Sequence, residues 1–247
     1  MVMNEQAVYG IRAIIEAIDA GKEFEKIFIQ SGINNPLMNE LRAHIKKNNL
    51  LYQQVPVEKL NRLTRANHQG AIAFISEIQY QLVEHVVPQL FEEGKVPFLL
   101  VLDKVTDVRN FGAIARTAEC MGVHAIIVPA QGNAPVNADS IKTSAGALHK
   151  ITICREANLK LALYFLKQSG VTIVGSNEKA NKELPFVDLT TPVAIIMGSE
   201  DKGISPEYLR LCDVRFKIPM QGTIESLNVS AAASIIMYEA QRQRASI

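Results

Sequence analysis

The sequence predicts an α/β protein of two units, a small alternating one at the N-terminus and a larger, mostly parallel one behind it. Three observations predict this. From Pro97 onward, short apolar runs such as Phe98 to Leu102 and Val193 to Met197 alternate with amphipathic stretches, the pattern of parallel strands covered by helices on both faces. A shorter alternation of the same kind fills the first ~75 residues, enough for a unit that folds by itself. With 48% hydrophobic and 21% charged residues, the 247-residue chain has an ordinary globular balance and can bury a sizeable core.

In the first unit, Ile11, Ile14, Ile15 and Ile18 follow Tyr9-Gly10 at helical spacing and stop before Gly21, which suits a helix end. Next come a short strand at Lys26 to Ile29, a helix from Pro36 to Lys47, a strand at Leu50 to Val55, a short helix from Val57 to Thr64 and a strand at Ala71 to Ile75. These elements place the first unit at residues 1–78, and the polar, helical-looking stretch 79–96 is expected to be a linker. The second unit, 97–247, is expected to place strands at Phe98–Leu102, Ala125–Val128, Ile151–Cys154, Val171–Val174, Val193–Met197 and Arg215–Ile218, with a last helix from Leu227 to Arg242.

Composition excludes several classes. No apolar run approaches the roughly 20 residues that span a bilayer, and residues 1–21 lack the basic flank and apolar run of a signal peptide, so a cytoplasmic protein without a membrane is expected. Cys120, Cys154 and Cys212 lie far apart, without the paired spacings of zinc or redox sites, and read as buried thiols; no metal is expected. The net charge of +1 conceals a basic segment: between Leu41 and Gly70 stand Arg42, Lys46, Lys47, Lys59, Arg62 and Arg65 against Glu58 alone. From charge alone, solvated helix faces and a nucleic-acid contact account for it equally well.

In parallel sheets of this type ligands bind beyond the carboxyl ends of the strands. Three segments just after strands therefore carry the functional reading: Asp103 to Ala118, Gly198 to Ser205, and Pro219 to Ser230. None contains G-x-G-x-x-G or G-x-x-x-x-G-K-[ST], which argues against an ordinary dinucleotide or nucleoside-triphosphate site.

These segments resemble the three motifs of the SpoU/TrmH family of RNA ribose 2′-O-methyltransferases, in the SPOUT superfamily. Tyr9-Gly-Ile-Arg-Ala13 and His68-Gln-Gly70 are similar to the two ends of that family's small ribosomal-protein-like RNA-binding domain. The nearest branch methylates a guanosine in the peptidyl-transferase region of bacterial 23S ribosomal RNA. The resemblance implies a SPOUT-type parallel sheet with a C-terminal trefoil knot, S-adenosyl-L-methionine as cofactor, ribosomal RNA as partner and a homodimer. Asp201 departs from the pattern, where glycine is commoner.

Residue by residue, the resemblance makes Arg116 the leading catalytic residue, with Asn110, Glu200, Ser226 and Asn228 beside it. It assigns Gly198, Ile218 and Leu227 to the cofactor, with Met197, Ser199 and Met220 as neighbours. RNA contacts are expected from Arg42, Lys46, Lys47, Arg62, Arg65 and Arg109. Taken alone, the same residues read otherwise: Asn110 as a helix cap, Arg116 as a surface charge, Ile218 and Leu227 as core, and Ser226 as the N-cap of the last helix. An arginine fork suits phosphate and a developing alkoxide, and glycine lets backbone come close to a ligand. The alternatives are a transfer-RNA methyltransferase, an antibiotic-resistance methyltransferase, a non-catalytic RNA-binding factor of the same fold, and a small-molecule enzyme with a Rossmann site.

Overall fold

The computed structural model describes residues 7–48, 50–199, 201–224 and 226–245. The chain divides into two compact units, residues 1–79 and 80–247.

The first unit runs β1 (Ala7–Tyr9), α1 (Ile11–Asp19), β2 (Phe24–Gln30), α2 (Pro36–Lys47), β3 (Gln53–Val55), α3 (Val57–Leu63) and β4 (Ala71–Ile75). Its sheet has the order β1-β4-β2-β3, antiparallel except between β2 and β3. The four isoleucines of α1 are buried, and α2 begins at Pro36 with the Asn35 side chain accepting the Met38 amide at 2.8 Å. Strand alternation then sorts the core into two. Ile27, Ile29, Ala71 and Ala73 pack with α1 and α2 on one face, while Phe28, Val55 and Ile72 pack with Leu60 of α3 on the other. With three residues, β1 is too short for alternation to reveal it.

The second unit runs β5 (Tyr80–Gln81), α4 (Val83–Glu92), β6 (Phe98–Leu102), α5 (Val108–Cys120), β7 (Ala125–Pro129), α6 (Ala138–Thr143), β8 (Thr152–Glu156), α7 (Leu159–Gln168), β9 (Thr172–Ser176), β10 (Lys182–Glu183), β11 (Val193–Met197), α8 (Pro206–Leu209), β12 (Val214–Lys217) and α9 (Val229–Arg244). All its strand pairs are parallel, in the order β10-β12-β9-β11-β6-β7-β8-β5. The expected linker 79–96 proves to be β5 and α4. β5 pairs with β8, and Val83, Val86, Val87 and Leu90 are buried with Leu163 and Leu166 of α7 against Leu99, Val101, Ala125 and Ile127. Its apolar positions 83, 86, 87 and 90 carry helical spacing that the polar residues between them mask. The side chains on the other sheet face, Leu100, Ile126 and Ile195 among them, are also fully buried, so the sheet is covered on both sides. Of the cysteines only Cys154 is buried; Cys212 is partly so and Cys120, on the polar side of α5, is exposed. Among the described residues no helix is long and apolar enough to cross a membrane.

Candidate active site

The order of the second sheet reverses at β6. From β6 the chain moves outward to β7 and β8, then crosses to β6's other side, where β9 to β12 lie in the order β11-β9-β12-β10 going outward from β6. Met197 is in register with Leu102, so the segments after β11 and β6 leave the sheet side by side at the switch point where such sheets bind ligands.

After β11 the loop closes tightly. Ser199 donates its amide to the Gly203 carbonyl at 3.1 Å and accepts the Gly203 amide at 2.9 Å, and the Ser199 hydroxyl accepts the Lys202 amide at 3.3 Å. A Cβ on Gly198 would lie 1.9 Å from the Gly203 carbonyl carbon and 2.1 Å from the Ile204 nitrogen, both backbone atoms that cannot step aside. The glycine is thus required by the loop's own closure. At its far end the loop is tied to β6: Asp103, 1% exposed, accepts the Ser205 amide at 2.6 Å, and its own amide donates to the Met197 carbonyl at 2.8 Å. Lys104, held at φ 61°, reaches the Ser205 hydroxyl at 3.4 Å.

Over the ends of β9, β11 and β12 opens a cavity of about 620 Å³. Met197, Gly198, Ser199, Ile218, Met220 and Leu227 all line it, and so does Ser226. Met220 and Leu227 keep 41% and 38% of their surface exposed, an apolar pair left uncovered beside a cavity. A further wall, Ser176 to Lys179 after β9, was missed in the sequence. The signal was available, since this segment too follows a strand, and its turn is marked by Asn177 accepting the Lys179 amide at 2.7 Å.

The other candidates surround α5 and α9, which pack against each other. Asp107, and not Asn110, caps α5 by accepting the Arg109 and Asn110 amides at 2.9 and 2.8 Å. Asn228, and not Ser226, caps α9, accepting the Ser230 and Ala231 amides at 3.0 and 3.3 Å. The helix starts two residues later than expected, and Ser226 is left exposed in the loop before it. The Asn228 amide group also donates to the Asn110 side-chain oxygen at 3.1 Å, joining the first and third motif segments directly. Arg116 is exposed on α5, outside the cavity lining, with no hydrogen bond or ion pair of its side chain to another described residue. Glu200 lies outside the described residues. Burial pushes the Cys154 thiol up to about 12 and the Cys212 thiol up to about 11, so neither is a ready nucleophile at neutral pH. Among the described residues no three of His, Cys, Asp and Glu gather into a metal-binding group.

Residues 97–238 match the SpoU rRNA Methylase family, and residues 7–81 match the domain described as RNA 2′-O ribose methyltransferase substrate binding. The chain belongs to the SpoU rRNA methylase family. A protein of Staphylococcus saprophyticus named for the TrmH family of tRNA/rRNA methyltransferases is 35% identical over 242 residues, 98% of this chain and 97% of that one. Among solved structures, an RNA 2′-O ribose methyltransferase aligns with TM-score 0.57 and 27% identity over 97% of this chain and 88% of its own. The SpoU methyltransferase AviRb of Streptomyces viridochromogenes, solved with AdoMet, shares the fold at TM-score 0.61 and 24% identity, over 98% of this chain and 91% of that one. The chain is accordingly an RNA 2′-O-ribose methyltransferase.

In the substrate-binding unit of this SpoU protein, the basic candidates are not brought together. Lys46 and Lys47 are exposed on α2, whereas Arg62 and Arg65 are exposed on and after α3, across the sheet. Arg42 is occupied locally, donating to the Asn39 side chain at 3.3 Å and to the Ile33 carbonyl at 3.0 Å. Arg109 belongs to the other unit, exposed in the first turn of α5.

Proposed function

We propose that this chain methylates the ribose 2′-hydroxyl of a guanosine in 23S ribosomal RNA, with S-adenosylmethionine held in the cavity over β9, β11 and β12. The observation that carries the reading is convergence. Segments separated by tens of residues place Met197 to Ser199, Ile218, Met220, Ser226 and Leu227 around one cavity, within the roughly 300–1,000 Å³ of small-molecule sites. The residues fit such a cofactor: uncovered Leu227 and Met220 with partly buried Ile218 suit a flat purine, and the backbone around the Ser199–Gly203 hydrogen-bonded pair offers groups for the polar parts.

When bound, S-adenosylmethionine supplies an electrophilic methyl group. The protein's part is to bind the ribose and manage its proton. A guanidinium is a hydrogen-bond donor and a poor proton acceptor, so Arg116 acts by holding a substrate phosphate and stabilising negative charge on the attacking oxygen. The hydroxyl proton passes to a phosphate oxygen, to water or to Glu200. The Asn228–Asn110 contact fixes the start of α5 against that of α9, which positions both motif segments for the nucleotide. The trefoil knot belongs to this reading, as do a cytoplasmic location and a homodimer. Ala231, Ile235 and Tyr238 form an exposed stripe along α9 that supports the dimer.

Relatives named for both tRNA and rRNA favour one second reading, methylation of a transfer RNA. Mapping 2′-O-methyl marks in cells with and without the gene separates the two. A mark lost from the peptidyl-transferase region is expected, a mark lost from transfer RNA supports the second reading, and no lost mark together with no calorimetric binding of S-adenosylmethionine overturns both.

A further inference from the structure

The sheet of the first unit has two unlike faces. On the α1–α2 face, bases are mixed with acids: Glu16, Asp19 and Glu40 are exposed there, Asp19 lies 2.9 Å from the His44 ring, and the Arg42 guanidinium is bound locally. The opposite face differs in both charge and covering. α3 buries Leu60 against Phe28, Val55 and Ile72, but Tyr9 and Phe74, on β1 and β4, remain partly exposed. Registers align Tyr9, Ile72 and Phe28 in one row and Ala7, Phe74 and Lys26 in the next, so the two partly buried aromatic rings lie beside an exposed lysine on one side of the sheet. Phe74 meets Phe28 edge-on at 6.2 Å, and the Lys59 ammonium lies 4.7 Å from the Phe28 ring centre. Arg62 and Arg65 follow, with Glu58 the only acid from β3 to Gly70.

The loop carrying Arg65 is also fixed in place. His68 accepts the Gly70 amide on Nδ1 at 3.0 Å, which leaves Nε2–H to donate to the Asn61 side chain at 2.9 Å and ties the loop to α3. Gln69, in the left-handed region at φ 50°, accepts the Ile11 amide at 3.3 Å.

We infer that the α3 face of this sheet is the RNA-binding surface of the first unit, and that it takes an unpaired RNA segment whose bases stack at Tyr9 and Phe74 while Lys26, Arg62 and Arg65 hold its phosphates. The inference rests on the RNA methyltransferase reading and selects one face within it. Partly uncovered rings on a sheet stack splayed-out bases whatever their sequence, and a basic rim supplies the salt-dependent attraction. A continuous duplex would reach the rim and leave the rings unused. On the α1–α2 face, α1 and α2 carry no Phe or Tyr, Phe24 is buried, the partly exposed His44 ring is taken by Asp19, and the lysines are mixed with acids.

The test uses the full chain, deproteinised ribosomal RNA, a labelled single-stranded oligouridylate and a duplex of equal length, with melting curves to verify folding. The double variant Arg62→Glu, Arg65→Glu should bind ribosomal RNA at least roughly tenfold more weakly, and its log–log salt slope should shrink by about 1.4, some 0.7 for each single-strand phosphate no longer neutralised. Lys46→Glu with Lys47→Glu on the opposite face should stay within about twofold. Tyr9→Leu should lose roughly tenfold for the oligouridylate with its salt slope unchanged, the signature of lost stacking. A loss that follows Lys46 and Lys47 instead, or equal affinity for duplex and single strand with no effect of Tyr9→Leu, overturns the assignment of the face and leaves the enzyme intact. Wild-type protein that neither binds RNA nor transfers a methyl group overturns the methyltransferase reading itself.

Discussion

In the larger unit, residues far apart in the chain meet, because every parallel strand delivers its following loop to the same edge of the sheet. In the smaller unit, residues close in the chain are parted, because the β2-α2-β3-α3 path carries α2 to one face and α3 to the other. The two sites therefore have different physics. The cavity is built from backbone closed on itself and tied to a buried carboxylate, while the RNA face is built from solvated side chains around a half-covered sheet. Substitutions that disturb backbone closure should abolish binding in the first; in the second, changes of charge should grade it.

The sharpest break is at Gly198. Gly198→Ala puts a methyl group into the backbone of Gly203 and Ile204, so the loop must open, and calorimetric affinity for S-adenosylmethionine should fall at least roughly a hundredfold. Gly203→Ala is the matched control. A Cβ there meets open space and the cost is only that of a left-handed backbone at φ 64°, about 1–2 kcal/mol. RNA affinity at the first unit should be unchanged by either, and a parallel loss would show that the units do not act separately.

Next comes Arg116→Ala. Since Arg116 stands outside the cavity lining, cofactor affinity should hold while single-turnover methylation falls about 10²–10³-fold, the usual cost of removing a group that stabilises developing negative charge. Equal losses in both would place the arginine in the cofactor site instead.

Asp103 offers an intermediate effect. Asp103→Ala strands the Ser205 amide that anchors the loop, and hydrogen bonds to charged groups are worth about 1.5–3 kcal/mol. Cofactor dissociation should quicken about 10- to 100-fold, with Asp103→Asn in between and the rate at saturating cofactor retained. Lower melting temperature with unchanged affinity would make Asp103 merely structural.

How much could be read from the chain follows the same division. The strands of the larger unit are continuous apolar runs, so their ends, and hence the loops at the cavity, were legible from Phe98–Leu102 and Val193–Met197 onward. What stayed hidden was local: the cap role went to Asp107 and Asn228 because side-chain geometry, and not residue type, decides between neighbouring candidates. The stretch 79–96 looked like a linker because its polar residues outweigh a single buried stripe. In the smaller unit the basic segment looked like one patch because a linear sequence shows neighbours along the chain and conceals on which face of a sheet each helix lands.

The smallest effect concerns pH and separates the units by stability. His124 Nδ1 accepts the Phe98 amide at 3.0 Å, which requires a neutral ring, and burial first, then Lys95 and Arg244, hold its pKa below the ordinary 6.5. A lowered folded value means that, as pH falls below 6.5, the unfolded chain takes up a proton that the folded one resists. Stability is therefore complete above 6.5 and declines as pH descends from there toward the lowered folded pKa. Glu156 in the same unit works the other way: burial raises its pKa above 4.5, so the folded protein gains relative stability as pH falls through that raised value toward 4.5. Comparing the wild type with His124→Asn isolates the histidine, because Glu156 is present in both and the asparagine oxygen keeps an acceptor for Phe98. The difference should be about 1 kcal/mol or less, trimmed by solvent at a half-buried site. Hydrogen exchange should report it at the amides of Leu99 to Leu102 and not at Ile27 to Ile29. A pH response equal in the two proteins would mean that the His124 ring is not held neutral by Phe98, and an equal response in both strands would mean that the two units open together.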